Sequence, residues 1–124
     1  MTFCFEIDHV QIAIPKGGEE EARMFFGDLL GLEELSKPPE LAMRGGCWFA
    51  AADCQIHLGV DGHFMPAKKA HVALSTSGLD ELRGRLELAG YETQDDTDVE
   101  GRRRFFSHDP FGNRIEFMDR TARA

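Results

Sequence analysis

Positive charge is scarce in this chain of 124 residues: 14 lysines and arginines face 22 acids, giving a net charge of −8 at pH 7. Such a chain is a poor ligand for polyanions, which argues against nucleic acid and anionic membrane surfaces as partners. Its one concentrated basic run is Arg102-Arg103-Arg104. Cysteine is also sparse. Cys4, Cys47 and Cys54 are odd in number and lack CxxC spacing. They suit a reducing compartment, where cysteines serve mostly as small apolar residues. Long apolar runs are missing too. No segment approaches a membrane span, and the N-terminus has no basic region ahead of an apolar one, so a cytoplasmic protein is expected. What remains is ordinary for a globular protein, with 42% hydrophobic and 29% charged residues. The length suits one domain, 1–124, able to bury its own core.

Alternation and turn residues organise the chain. In Phe3 to Ile14, Val10, Ile12 and Ile14 alternate with His9, Gln11 and Ala13, which predicts a strand with one apolar and one mixed face. Pro15 and Gly17-Gly18 break it. Glu19 to Leu30 reads as a helix, with Ala22, Phe25, Phe26, Leu29 and Leu30 on one stripe, acids in the first turn and Gly31 as its stop. Leu32 to Leu35 is a short strand, Lys37-Pro38-Pro39 a break, and Leu41 to Met43 a weak extended piece. Two clearer strands follow, Cys47 to Ala51 with Trp48 and Phe49, and Gln55 to Val60, where His57 alternates with Ile56 and Leu58. Residues 61–68 form a linker.

The same order then repeats. Lys69 to Thr76 is a strand in which Val72 and Leu74 oppose His71, Ala73 and Ser75. Ser77 with Asp80 suggests a capped helix carrying Leu79, Leu82, Leu86 and Ala89, ended by Gly90. Short strands at Tyr91 to Thr93 and Arg102 to His108 follow. Asp109-Pro110-Phe111-Gly112-Asn113 is a tight turn. The closing strand after it points Ile115 and Phe117 to one face and Arg114, Glu116 and Met118 to the other. The chain is therefore two βαβββ units, 3–60 and 69–119, offset by about sixty positions. His9 answers to His71, and His57 to Glu116. All four are metal-binding residue types, and each lies on the face opposite the apolar set. The predicted fold is α+β, a curled mixed sheet with helices on its outer face and a cup presenting these four side chains.

A repeated βαβββ unit with His, His and Glu at these strand positions resembles the vicinal oxygen chelate superfamily. That superfamily includes glyoxalase I, methylmalonyl-CoA epimerase, extradiol dioxygenases, fosfomycin-resistance thiol transferases and metal-free bleomycin-binding proteins. The resemblance runs from Ile7-Asp8-His9-Val10 through Ala70-His71-Val72-Ala73-Leu74 to Asp109-Pro110-Phe111-Gly112-Asn113 and Ile115-Glu116-Phe117. It implies His9, His71 and Glu116 as metal ligands, with His57 where some members supply a fourth. Glyoxalase I-like enzymes carry Glu or Gln there, so His57 is a departure. Imidazoles with one carboxylate suit Fe, Mn, Ni, Co or Zn as divalent ions. Such an ion polarises a small substrate chelating through neighbouring oxygens, and Glu116 could also serve as base.

Each residue also has a plainer reading. Glu116 alone would be a solvated residue on an open sheet face, and His57 a hydrogen-bonding residue lining the cup. His63 and His108 read as surface residues. One arginine of the basic run, Arg104, is a candidate to receive a substrate carboxylate or phosphonate. Trp48, Phe49 and Phe106 are candidates for the cup wall. Three functions compete: a glyoxalase- or epimerase-like enzyme, an extradiol dioxygenase- or fosfomycin transferase-like enzyme, and an antibiotic- or ligand-binding protein without turnover. The single tyrosine, Tyr91, weakens the second, since those enzymes tend to place a tyrosine near the metal. The ligand set weakens the third. The resemblance also implies a homodimer.

Overall fold

The computed structural model describes residues 2–121, in two compact units, Met1–Phe64 and Met65–Ala124. The first contains β1 (His9–Ile14), α1 (Glu19–Ala22), β2 (Glu33–Leu35), α2 (Pro39–Ala42), β3 (Cys47–Ala51) and β4 (Cys54–Val60). Its four strands lie in the order β1-β4-β3-β2, with β1 parallel to β4 and the other neighbours antiparallel. The second contains β5 (Val72–Thr76), α3 (Leu79–Leu88), β6 (Gln94–Asp95), β7 (Arg104–His108) and β8 (Arg114–Asp119). Its order, β5-β8-β7-β6 with β5 parallel to β8, repeats that of the first. Each unit is thus a small mixed sheet of the glyoxalase-like α+β kind, as the alternation predicts.

Burial follows the same alternation. In the first unit Ile14, Phe49, Ile56 and Leu58 are buried with Ala22, Phe25 and Phe26. The helix is not regular throughout. After α1 it runs on as a π-helical segment, Arg23–Leu29, in which Leu30 N–H donates to the Phe25 carbonyl at 2.9 Å. Phe25 and Phe26 are neighbours in sequence, and both rings are buried, edge to face at 4.9 Å. The short piece around Leu41, expected to be extended, is the single-turn helix α2. Pro39 opens it at a position where its missing N–H costs nothing.

Close approach fixes the hairpin beside that turn. Gly46 has φ +82°, and a Cβ there would stand 2.1 Å from the Leu58 carbonyl oxygen. Its N–H donates to Glu19 Oε2 at 2.9 Å, tying the helix start to the sheet, and that bond holds the Glu19 carboxyl below its ordinary pKa. Next to it Cys47 is 1% exposed, and burial pushes its thiol pKa up to about 11. Since the thiolate is the nucleophile, iodoacetamide at pH 8 is expected to alkylate exposed Cys4 readily and to leave Cys47 unmodified until denaturant is added. Peptide mass mapping reads the difference. Native labelling of Cys47 at the rate of Cys4 would contradict it.

In the second unit Leu79, Leu86, Phe105, Ile115 and Phe117 are buried. Strand limits are tighter than the sequence suggests: β5 begins at Val72, just after His71, and β6 falls at Gln94–Asp95 rather than Tyr91–Thr93. Ser77 does not cap α3. Gly78 holds the cap position and has no side chain to bond there, and the Asp80 carboxylate accepts from Arg103 Nη1 at 2.9 Å. The turn after β7 is held by its own side chains. Asp109 is fully buried, and its Oδ1 accepts from the N–H groups of Phe111 and Asn113, each at 2.9 Å, while its Oδ2 accepts from Asn113 Nδ2 at 2.8 Å. Asn113 Oδ1 in turn accepts from Ala67 N–H at 2.9 Å, and Arg114 N–H donates back to the Ala67 carbonyl. Among the described residues, no helix is long and apolar enough to cross a membrane.

Candidate functional site

The mixed face of each sheet carries the candidate residues, in matching places. In the first unit, Trp48 of β3 and Gln11 of β1 flank His57 of β4. In the second, Phe106 of β7 and Ala73 of β5 flank Glu116 of β8. His9 stands two residues before Gln11, and His71 two before Ala73, so the repeat read from the sequence also holds in strand register. Phe49 is the exception among the expected lining residues. It sits on the opposite face, 0% exposed, with its ring 5.9 Å from Phe26. Period-two alternation puts it in the core once Trp48 faces His57.

The first unit brings three rings together. His57 is sandwiched between Trp48, stacked at 4.0 Å, and His9, stacked at 4.1 Å. Its Nε2–H donates to Gln55 Oε1 at 2.8 Å, which fixes the tautomer and leaves Nδ1 with the lone pair. Burial first, and then the neighbouring His9, push the His57 pKa below the ordinary histidine value. The ring is thereby favoured neutral, the form that binds metal. His9 Nδ1–H donates to Asp8 Oδ1 at 2.8 Å, leaving Nε2 open. Asp8 and Gln55 also line an open recess of about 590 Å³ at the end of β4.

The second unit joins His71 to Glu116. His71 Nδ1–H donates to the Lys69 carbonyl at 2.9 Å, and Nε2 lies 3.0 Å from Glu116 Oε1. A carbonyl only accepts, so Nδ1 must carry a proton. Nε2 then directs a lone pair at a carboxylate oxygen unless a cation, proton or metal, stands between them. Orientation of a ring by an N–H to a backbone carbonyl is how metal-binding imidazoles are commonly held. The donor chemistry of both pairs therefore fits a divalent transition metal, with imidazole nitrogens and one carboxylate. Among the described residues, no three His, Cys, Asp or Glu side chains gather as a complete metal site.

Arginines surround this pair. Arg104 Nη1 lies 3.4 Å from Glu116 Oε2 and Nη2 3.6 Å from Asp96, while Nε–H donates to the Thr97 carbonyl at 2.8 Å. The other two arginines of the run are also engaged: Arg102 with the Asp119 carbonyl, and Arg103 with Asp80 and Asp119. Phe106, 7% exposed, is the shared floor, with the His71 ring at 5.3 Å and the guanidinium carbons of Arg104 and Arg114 at 5.3 and 3.7 Å from its centroid. His108 is exposed, its ring 5.5 Å from Tyr91. The orienting roles of Asp8 and Gln55 and the turn-holding role of Asp109 do not follow from residue type, because each acts through a hydrogen bond to another residue. Arg114 was detectable, since it shares a strand face with Glu116.

Comparisons with known proteins bear on the fold and the family. The profile of the Glyoxalase/Bleomycin resistance protein/Dioxygenase superfamily matches residues 6–117. A protein from Bacillus anthracis assigned to the glyoxalase family is 48% identical, with a TM-score of 0.91, over 98% of this chain and 99% of that one. A glyoxalase/dioxygenase from Nostoc punctiforme is 18% identical, with a TM-score of 0.75, over 92% and 90% of the two chains. The fosfomycin resistance protein FosX from Listeria monocytogenes is 16% identical, with a TM-score of 0.74, over 96% of each chain. At those lower identities the likeness is one of fold. No functionally curated protein matches the chain. With the repeated sheet order and the superfamily profile spanning both units, the chain belongs to the Glyoxalase/Bleomycin resistance protein/Dioxygenase superfamily.

Proposed function

We propose that the chain is a divalent-metal-dependent enzyme of the glyoxalase or epimerase type, acting on a small substrate that chelates through neighbouring oxygens. His71 and Glu116 supply donors from one unit, and His9 with His57 from the other. The observation that carries this reading is the facing of His71 Nε2 and Glu116 Oε1 at 3.0 Å with Nδ1 already committed to a carbonyl. Because each unit holds one pair, we also propose a homodimer in which the pairs of two copies complete the donor sets. Fe, Mn, Ni, Co and Zn all suit such donors.

When bound, a divalent ion would polarise a substrate carbonyl and neutralise the negative charge that develops on its oxygens. The protein's own part is proton transfer. Glu116 is 7% exposed and takes the proton from the carbon next to the carbonyl, a step whose rate depends on a carboxylate held in place and out of bulk water. Arg104, facing Oε2, orients that carboxylate. Phe106, paired with Glu116 across the sheet, walls the reacting carbon from water.

Exchange of the α-hydrogens of hydroxyacetone in D2O, followed by proton NMR, tests the reading. The metal-loaded protein is expected to accelerate exchange, and Glu116→Gln to lower that rate by about 10² to 10⁴, the usual contribution of a positioned base. A metal-loaded Glu116→Gln variant with unchanged exchange would overturn the assignment of the base.

A further inference from the structure

We infer that Arg114, rather than an arginine of the 102–104 run, is the anion-receiving residue beside the metal ligands, and that the substrate carries a carboxylate as well as its chelating oxygens. This rests on the metal-dependent reading above. Arg104 has its donors committed to Glu116, Asp96 and the Thr97 carbonyl. Arg102 and Arg103 are likewise bound to Asp119 and Asp80. Arg114 differs. Its backbone N–H is tied to Ala67, its guanidinium carbon lies 3.7 Å from the Phe106 centroid, and none of the ion pairs among the described residues involves it. A guanidinium that close rests its face on the ring. Its five N–H donors lie in the guanidinium plane and stay available to another acceptor.

Position and charge both point to substrate. Arg114 and Glu116 share a strand face two residues apart, about 7 Å along β8. His71 and Arg114 meet the same phenyl ring. Arg104 is neutralised by Glu116 and Asp96, so Arg114 is the surplus cation of this face in a protein whose net charge is −8. A planar fork of donors is matched by a carboxylate, which it binds through two parallel hydrogen bonds.

Two hydroxamates with the same chelating head separate the possibilities: acetohydroxamate, which is neutral, and succinomonohydroxamate, which adds a carboxylate tail. Calorimetric titration of the metal-loaded protein is expected to show about tenfold tighter binding of the carboxylated compound, the usual scale of a charge-assisted hydrogen bond. Arg114→Met keeps an apolar cover on Phe106 and is expected to abolish that preference, leaving acetohydroxamate affinity within about twofold. Arg114→Lys, which retains the charge without the fork, is expected to keep part of the preference and provides a second variant should the first not fold. Equal binding of the two compounds by the wild type, or a preference that survives Arg114→Met, would overturn the inference while leaving the metal reading in place. Binding of neither compound by the wild type would overturn both.

Discussion

Replacing Asp109 by alanine is expected to destabilise the protein by about 3 kcal/mol or more, lowering the thermal midpoint by roughly 10 °C. The cause is specific. Three buried donors, the N–H groups of Phe111 and Asn113 and the side-chain amide of Asn113, lose their acceptor at once. A buried donor left unpaired costs about 1–3 kcal/mol. The loss also propagates, because Asn113 oriented by Asp109 is what receives Ala67, and Arg114 pairs back to the same residue. Asp109→Asn keeps the shape yet turns an amide group toward donors, and should fall between wild type and alanine. A midpoint within 2 °C of wild type for the alanine variant would contradict this view of the turn.

Protonation of Asp109 follows a less familiar direction. Burial raises its carboxyl pKa, outweighing the three donors that lower it. Between the ordinary value of 3.8 and the raised value, the native state binds more protons than the unfolded chain. This group's contribution to stability is therefore greatest below pH 3.8 and declines as pH rises through that window. The three donors offset part of the cost of burying this carboxyl group, and removing their acceptor leaves them buried and unpaired.

The second large effect concerns the metal. Removing His71 and Glu116 together is expected to lower metal affinity by at least a hundredfold, since groups that only orient a ligand are already worth about 10 to 100-fold. Neither change strips the core: Ile115 and Phe117, on either side of Glu116, hold the strand in place. Stability is expected to change much less than metal content.

Much of this architecture is legible in the sequence because period-two alternation is a direct consequence of strand geometry. Val10, Ile12 and Ile14 against His9 and Gln11 announce both the strand and its faces, and the repeat then places His71 and Glu116. The limits arise where local pattern is silent. Four residues at Pro39–Ala42 are too few to show a helical period, so α2 reads as extended. Phe25 and Phe26 fit a regular helix on paper, and the π-helical turn shows only in the backbone bond from Leu30 N–H to the Phe25 carbonyl. Phe49 reads as a lining residue because aromatics suit both core and cup. The ion pairs of Arg104 with Asp96 and Glu116 are likewise not legible in the sequence, because they depend on contacts between separate elements.

The proposed function requires His71, Glu116 and the histidines of the first unit to hold a divalent transition metal. Elemental analysis of protein purified without chelator or metal-affinity resin, wild type against His71→Ala/Glu116→Ala, tests it most directly. The account predicts about one ion per chain in the wild type and near none in the variant, with ion identity steering the chemistry toward oxygen activation for Fe or isomerisation for Ni, Co or Zn. A wild-type protein that holds no such ion and takes up none on soaking would contradict it, and a ligand-binding protein without turnover would become the leading account.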